Sequence, residues 1–303
     1  MFSKFSFTLF WAVLFCATGL MRPVFTEGQQ SGKTSDINTL RGDVAGAFAQ
    51  MDQASKTSDM TPEDEYFLGR AVAAEIIKAY KPYTANPALT AYLNKICQAI
   101  VVNSVRPTLF SGYHVEILDT EEICAFASPG GHIFMGRGLI DSAPSEDALA
   151  AVIAHEVAHI QLRHAVTIIQ NERTVQDLSA AAERAATIVA RNLTTQERAV
   201  LFRESLSVSI NILFRDGYSQ EQEFQADRMA RLLLIGAGYD PAALGEILQI
   251  LEKKTKTGNM SKTHPSPAIR ITSLGNLPGS VRTGTGRETL SVRRPRFNSA
   301  FRR

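Results

Sequence analysis

The sequence predicts an α+β fold that is mainly helical, with a small β-sheet or hairpin beside a long buried helix. Apolar residues follow helical spacing in "TPEDEYFLGRAVAAEIIKAY", where a stripe runs from Phe67 to Ile77. The spacing changes to strand alternation in "YHVEIL", and "ICAFASPGGHIFMGRGLI" contains two apolar runs around a Pro-Gly-Gly turn. Helical spacing returns after Ser145. A hairpin set between helical runs is typical of an α+β domain.

Capping residues predict where the main helices begin and end. Thr61 is suited to cap the first helix, and Pro62 is suited to its first turn. A second helix is predicted over "NPALTAYLNKICQAIVVN". Ser145 can cap a third, which acidic residues open. A later helix begins after "GYS" at 217–219 and ends at "GAGYDP", where glycine and proline stop it.

The N-terminal segment predicts export. "MFSKFSFTLFWAVLFCATGLMRP" has one lysine, an apolar run and then small residues, which is the pattern of a secretory signal. Residues 1–21 are therefore expected to be a signal peptide, or a signal anchor if they are not cleaved, because their length is near the minimum for a membrane span. The protein is expected to be periplasmic or associated with the cell envelope, and anchored there if the segment remains.

Three further regions follow. Residues 22–59 are rich in polar residues and are expected to form a linker. Residues 60–278 are expected to form the folded domain. Residues 279–303 are expected to be a disordered basic tail, because 281–303 contain seven arginines against one glutamate and show no apolar periodicity. The segment 168–216 is predicted to be helical but is highly charged.

Charge and cysteine content limit the partners and the kinds of metal site that the protein can have. A net charge of +2 gives no general argument for nucleic acid, and none is expected as a partner. Only Cys97 and Cys124 would remain after signal cleavage, so a zinc site built from clustered cysteines is excluded. An exported protein could join these two in a disulfide, and two separate buried thiols are the alternative.

The stretch "AVIAHEVAHIQLRHA" predicts a metal site. His155 and His159 are four residues apart, so on a helix they lie about 40° apart on one face and can bind one cation. Glu156 lies next to His155, where it can take a proton from a water beside the metal. Polar residues in so apolar a run would be costly without such partners. This combination is typical of a zinc hydrolase.

His164 is not expected to join this site. It lies five residues after His159, about 140° around a continuous helix. Longer zinc motifs place a glycine after the second histidine and a third histidine six residues on, and "HIQLRH" has neither feature. A structural role is therefore predicted for His164.

The third ligand must come from elsewhere, and "EQEFQADRMA" offers candidates. Glu223 and Asp227 share one helical face, with Ala226 between them to allow a close helix approach. Glu223 can serve as a ligand, with Asp227 accepting a hydrogen bond from a ligand imidazole. The alternative is a solvated acidic face, since Glu221 lies nearby.

Together these motifs resemble peptidase family M48, the Ste24/HtpX-like zinc metallopeptidases, and especially its exported bacterial branch. The resemblance covers about residues 60–275 in order, and the matching segments are "EDEYFLGRAVAAEI", "AFASPGGHIFMGRGLI", "HEVAHIQLRH", "GYSQEQEFQADRMA", "AGYDP" and "HPSPAIR". Cys124 and His132 depart from the usual pattern, which has Asn and Tyr at these places. The multi-span membrane branches are a poorer match.

The resemblance implies a zincin-like (gluzincin) domain with metalloendopeptidase activity and one Zn²⁺ per subunit. It implies that His155, His159 and Glu223 are the ligands, that Asp227 supports one of them, and that Glu156 is the catalytic base. It also implies that His264 or Arg270 stabilises the oxyanion, with His264 alternatively capping the metal in a resting state.

The resemblance further implies a polypeptide substrate added as a strand to the hairpin, with substrate-binding residues Ala125, Phe126, Ala127, Gly131 and His132. Such binding suits quality control of unfolded or misassembled envelope proteins. The alternative is a gated or inactive zinc-site protein that binds clients or envelope complexes like a chaperone. Three roles are predicted as alternatives for segment 168–216: a lid, a membrane-surface contact or a partner contact.

Overall fold

The computed structural model describes residues 60–102, 104–169, 218–255, 267–275 and 286–301. The predicted signal, the polar linker, nearly all of the charged segment 168–216 and His264 lie outside the described residues. Among the helices in the described ranges, none combines the length and the apolar character that a bilayer span requires.

The fold is mainly helical with one three-stranded sheet, which confirms the predicted α+β class. The short helix α3 directly follows the sheet, and a single turn of 3-10 helix, Pro129–Gly131, joins its second and third strands. The elements are α1 (Pro62–Ala79), α2 (Pro87–Val101), β1 (His114–Leu118), β2 (Ala125–Ala127), β3 (His132–Gly136), α3 (Arg137–Ile140), α4 (Glu146–Gln161), α5 (Gln220–Gly236), α6 (Ala243–Thr255), α7 (Pro267–Leu274) and α8 (Gly286–Ala300).

The helices begin where the capping residues predict. The Thr61 side chain accepts a hydrogen bond from the backbone N–H of Asp64, whose carboxylate accepts one in return from the Thr61 N–H. Ser145 caps α4 by accepting from the N–H of Ala148. Ser219 caps α5 in the same way, which fixes the start of the helix that carries Glu223.

The sheet has the order β1-β3-β2, so β2 lies at one edge. β3 runs parallel to β1 and antiparallel to β2, and the β2–β3 pair is the hairpin predicted around Pro-Gly-Gly. Two backbone hydrogen bonds join β3 to the residues that flank β2. The Gly136 N–H donates to the Cys124 carbonyl, and the Ser128 N–H donates to the His132 carbonyl, each at 2.8 Å. Because backbone direction alternates along a strand, the polar backbone groups of Ala125 and Ala127 face the opposite, outer edge.

Helix α4 is buried along its whole length. Every residue from Glu146 to Gln161 is buried, and the helix packs chiefly against α5. Small side chains make this approach close, since Ala154, Ala158 and Ala226 are all 0% exposed. The alanine-rich sequence of α4 therefore sets the distance between the two helices that carry the predicted ligands.

Cys97 and Cys124 are both buried and both free, so the disulfide is not formed and the alternative of two separate thiols is confirmed. Burial raises the pKa of each thiol to about 12. Both cysteines therefore remain protonated and unreactive at neutral pH.

The prediction of a disordered basic tail is wrong for residues 286–300, which form α8. Arg293 donates to the Asp147 carboxylate at 2.6 Å, and its guanidinium lies 4.3 Å from the centre of the Tyr239 ring. Arg296 donates to the Glu146 carboxylate. Composition suggested disorder because the tail has a single glutamate for seven arginines, but the first turn of α4 supplies two buried carboxylates from a distant part of the sequence.

Replacing Arg293 with Ala should lower the free energy of unfolding by about 3–5 kcal/mol, because it leaves the buried Asp147 carboxylate without its cation. Urea unfolding followed by circular dichroism measures this change. Arg294→Ala is the matched control, since Arg294 is exposed on the same helix and should change the stability by less than about 0.5 kcal/mol. Equal effects of the two substitutions would show that α8 does not depend on this ion pair.

Candidate metal centre

Helix α4 brings two histidines together inside the core. The Nε2 atoms of His155 and His159 lie 3.0 Å apart, and the side chains share one face because they are four residues apart on a regular helix. The two residues are only 2% and 1% exposed. The predicted pairing of the two imidazoles is therefore present in the fold.

Helix α5 brings Glu223 to the same point. Its Oε1 lies 3.4 Å from His159 Nε2, and its Oε2 lies 3.6 Å from His155 Nε2. One donor atom from each of the three residues falls within 4.8 Å of the others. The alternative of a solvated acidic face is wrong, because Glu223 and Asp227 are 0% and 1% exposed.

The donors fit a zinc ion. Neither carboxylate oxygen of Glu223 has a hydrogen-bond partner among the described residues, although both are buried, and such orphaned oxygens are costly without a ligand. Burial, helped by the positive charge of Arg270, lowers the pKa of His159 to about 3, so its imidazole stays neutral. Two neutral imidazoles and one carboxylate form the ligand set of many catalytic zinc sites.

Glu156 lies beside this cluster without belonging to it. It is 1% exposed, and its Oε1 has no hydrogen-bond partner in the described part of the chain. Burial, together with the nearby Glu223 carboxylate, raises the pKa of Glu156 well above its usual value. A buried carboxyl group with a raised pKa is suited to accept and return a proton.

Asp227 and Arg270 form a second layer behind His155. The Asp227 carboxylate lies 2.9 Å from His155 Nδ1, where it fixes the ring with Nε2 turned toward Glu223. Arg270 donates to both oxygens of Asp227, at 2.8 Å from Nε. Burial alone would raise the pKa of Asp227, but the guanidinium holds it well below its usual value. Arg270 Nη1 also lies 3.5 Å from Glu223.

The prediction that His164 is not a ligand and has a structural role agrees with the grouped donors of the described residues, but the continuous helix on which it was based is not present. Helix α4 ends at Gln161, and Arg163 adopts a positive φ of 57°, so the chain turns before the next helical residues. This turn places His164 Nδ1 3.0 Å from His159 Nδ1, and His164 Nε2 3.3 Å from Gln225 Oε1. The sequence argument assumed a continuous helix. His164 is not among the grouped donors, but it supports one of them.

The five predicted substrate-binding residues divide into two groups. Ala125, Phe126 and Ala127 form β2, which packs on α4 next to the metal centre. Gly131 and His132 lie on the side of α1 instead, where the His132 ring centre is 6.0 Å from that of Tyr66. Their role in substrate binding stays a prediction, as does the oxyanion role of Arg270. His264 lies outside the described residues.

Tyr218 is a site residue that sequence reasoning missed. Its ring stacks on the His159 imidazole, with centres 3.9 Å apart and planes 25° from parallel. Its hydroxyl donates to the Ala127 carbonyl of β2 over 3.4 Å. The available signal was its position directly before Ser219, which caps the ligand-bearing helix.

Comparison with known proteins agrees with this geometry. The sequence model of peptidase family M48 matches residues 87–277. The beta-barrel assembly-enhancing protease of Yersinia pestis is 27% identical over 279 residues, which are 89% of this chain and 54% of that protein. The protein of the same name from Escherichia coli (strain K12) is 25% identical over 255 residues, 80% of this chain and 50% of that protein.

A eukaryotic relative also matches. The mitochondrial metalloendopeptidase OMA1 of Schizosaccharomyces pombe is 30% identical over 188 residues, which are 60% of this chain and 51% of that protein. The chain spans about half the length of the curated relatives it matches. Because the family model covers more than half of the chain, including both helices of the metal centre, the chain belongs to peptidase family M48.

Proposed function

We propose that the protein is a zinc-dependent endopeptidase that hydrolyses peptide bonds in unfolded or misassembled envelope proteins. The observation that carries the proposal is the convergence of His155, His159 and Glu223 beside Glu156, whose buried Oε1 has no hydrogen-bond partner among the described residues. Two neutral imidazoles, a ligand carboxylate and a separate basic carboxylate are the groups that metal-assisted peptide hydrolysis requires. The names of the relatives, which are proteases and metalloendopeptidases, support the same activity.

Each protein group has a defined part in this chemistry. A bound zinc ion would polarise the scissile carbonyl and make a water molecule more acidic. Glu156 takes the proton of the attacking water and delivers it to the leaving amine, and the burial that raises its pKa makes it a stronger base than an exposed carboxylate. Asp227 holds His155, and His164 holds His159, so both imidazoles keep Nε2 turned toward Glu223, where the three residues would hold a zinc ion.

The outer edge of β2 supplies the binding site for an extended substrate. The backbone groups of Ala125 and Ala127 can pair with those of a substrate strand, and backbone pairing needs no particular substrate sequence. That lack of preference suits an enzyme acting on unfolded chains. In this proposal the enzyme works in the periplasm or at the cell envelope, which rests on the secretory pattern of residues 1–21.

A second candidate function is a gated or inactive zinc protein that holds clients or envelope complexes. The burial of the ligands favours it, because no ligand is more than 2% exposed. Zinc-loaded protein that binds unfolded substrates and cleaves none would support this candidate. Hydrolysis of such a substrate by the wild type, with loss of this activity in Glu156→Gln, would exclude the gated or inactive candidate.

Glu156→Gln should lower the rate of casein hydrolysis by at least about a hundredfold, because the amide cannot accept the proton of water. Chelation by 1,10-phenanthroline should abolish the wild-type activity, and added zinc should restore it. Cleavage of fluorescent casein measures both effects, and metal analysis should find one zinc in each protein. Cleavage by the Glu156→Gln variant at the wild-type rate would contradict the proposal.

Glu223→Ala should lose bound zinc, because one of three ligands is removed and Glu223 forms no hydrogen bond within the described residues that would be broken. Glu221→Ala is the control, since Glu221 is exposed on the same helix. Zinc content after dialysis against a weak chelator separates the two variants. Full zinc retention by Glu223→Ala would refute the ligand assignment.

His164→Ala should weaken zinc binding by about 10- to 100-fold, because His159 loses the partner that orients its ring. Competition with a coloured chelator measures the affinity. His114→Ala, which removes an exposed histidine, should leave it unchanged. A drop in the stability of the metal-free protein with no change in zinc affinity would mean that His164 only supports packing.

A further inference from the structure

The candidate ligands of the metal centre are buried in this structure. His155, His159 and Glu223 are 2%, 1% and 0% exposed. An endopeptidase must bring a peptide carbonyl of an extended chain to within bonding distance of its metal. Some covering group therefore has to move before the proposed reaction can occur.

Among the described residues, Tyr218 covers His159 on the side that faces β2. A substrate strand paired with β2 must lie between the outer edge of β2 and the ligand histidines. The Tyr218 phenol crosses this gap, with its ring on His159 and its hydroxyl on the outward carbonyl of Ala127. The phenol thus lies where a paired substrate strand would lie. It also occupies the Ala127 carbonyl, to which a backbone N–H of the substrate would otherwise donate.

We propose that Tyr218 is a gate, and that an extended polypeptide pairs with the outer edge of β2 only after displacing the phenol from the gap between Ala127 and His159. This inference rests on the proposed function, since it assigns a role in substrate entry to that same site. Tyr218 acts on binding, by competing with substrate, and takes no part in the bond-breaking step.

The contacts of Tyr218 with His159 and Ala127 are weak enough for a substrate strand to displace the phenol. The hydroxyl bond is long at 3.4 Å, and a ring stack adds only a modest attraction beyond the burial of the ring. A substrate strand can form several backbone hydrogen bonds with Ala125 and Ala127, in place of the one that it breaks. A peptide able to extend therefore opens the gate, whereas a folded protein, whose backbone is already paired, does not.

The test measures binding apart from catalysis. Fluorescent reduced β-casein is titrated into zinc-loaded Glu156→Gln protein, with and without Tyr218→Phe or Tyr218→Ala. Tyr218→Phe removes the hydroxyl and should tighten the dissociation constant about two- to tenfold, the worth of one hydrogen bond. Tyr218→Ala removes the ring as well and should tighten it further. Tyr218→Phe keeps the ring, so the effect of the hydroxyl on casein binding can be measured even if Tyr218→Ala does not fold.

Tyr239→Phe is the matched control. Tyr239 is a buried tyrosine whose hydroxyl bonds to Glu146, at the far end of α4 from the metal centre, and its loss should leave casein binding unchanged. With Glu156 intact, Tyr218→Phe should lower KM by the same factor and leave kcat unaltered.

Two results would overturn the gate. Casein binding that is equal or weaker in both Tyr218 variants shows that the phenol does not compete with substrate. A fall in kcat at constant KM in Tyr218→Phe shows that the hydroxyl assists the chemistry instead. Absence of casein cleavage by every zinc-loaded protein, with the tighter binding still observed, refutes the proposed function and leaves the gate in place.

Discussion

The buried contacts of Arg270 are the interaction on which the centre depends. Glu156, Glu223 and Asp227 place three carboxyl groups in a core where none is more than 1% exposed. Arg270 bonds to Asp227 and approaches Glu223, so it keeps Asp227 ionised while burial raises the pKa of Glu156 and Glu223. This division matters because Asp227 must stay anionic to orient His155. A neutral residue at 270 would leave these carboxyl groups without their cation.

Both ends of α4 are held in place by ion pairs with other helices. A helix that carries ligands through the core cannot shift along its axis without separating His155 and His159 from Glu223. At its N-terminus, Glu146 and Asp147 are held by arginines of α8. At its C-terminus, the turn at Arg163 is held by an ion pair with Glu65 of α1, 3.2 Å between the charged atoms. The two ends are thus fixed by elements that are far apart in sequence. Because α8 holds one end of the helix that carries His155 and His159, it packs as part of the same domain.

The sequence was sufficient wherever the determining contacts are local. Helix starts at Thr61, Ser145 and Ser219 follow from side chains that bond three residues away. The His155–His159 pair follows from helical geometry alone. The contact of His164 with His159 was missed because the positive φ of Arg163 is a tertiary effect, since arginine has no intrinsic preference for that conformation. The order of α8 and the site role of Tyr218 were missed for the same reason: their partners, Asp147, Glu146 and Ala127, lie 91–150 residues away.

The edge of β2 connects stability with activity. An uncovered strand edge pairs readily with any extended segment, which makes it both a substrate site and a route to aggregation. β2 is three residues long, and the phenol of Tyr218 caps its outward Ala127 carbonyl while shielding His159. One side chain therefore covers the edge and the metal ligand together. Under the proposed gate, a chain that offers backbone groups in place of the phenol displaces this covering, and unfolded proteins offer such groups.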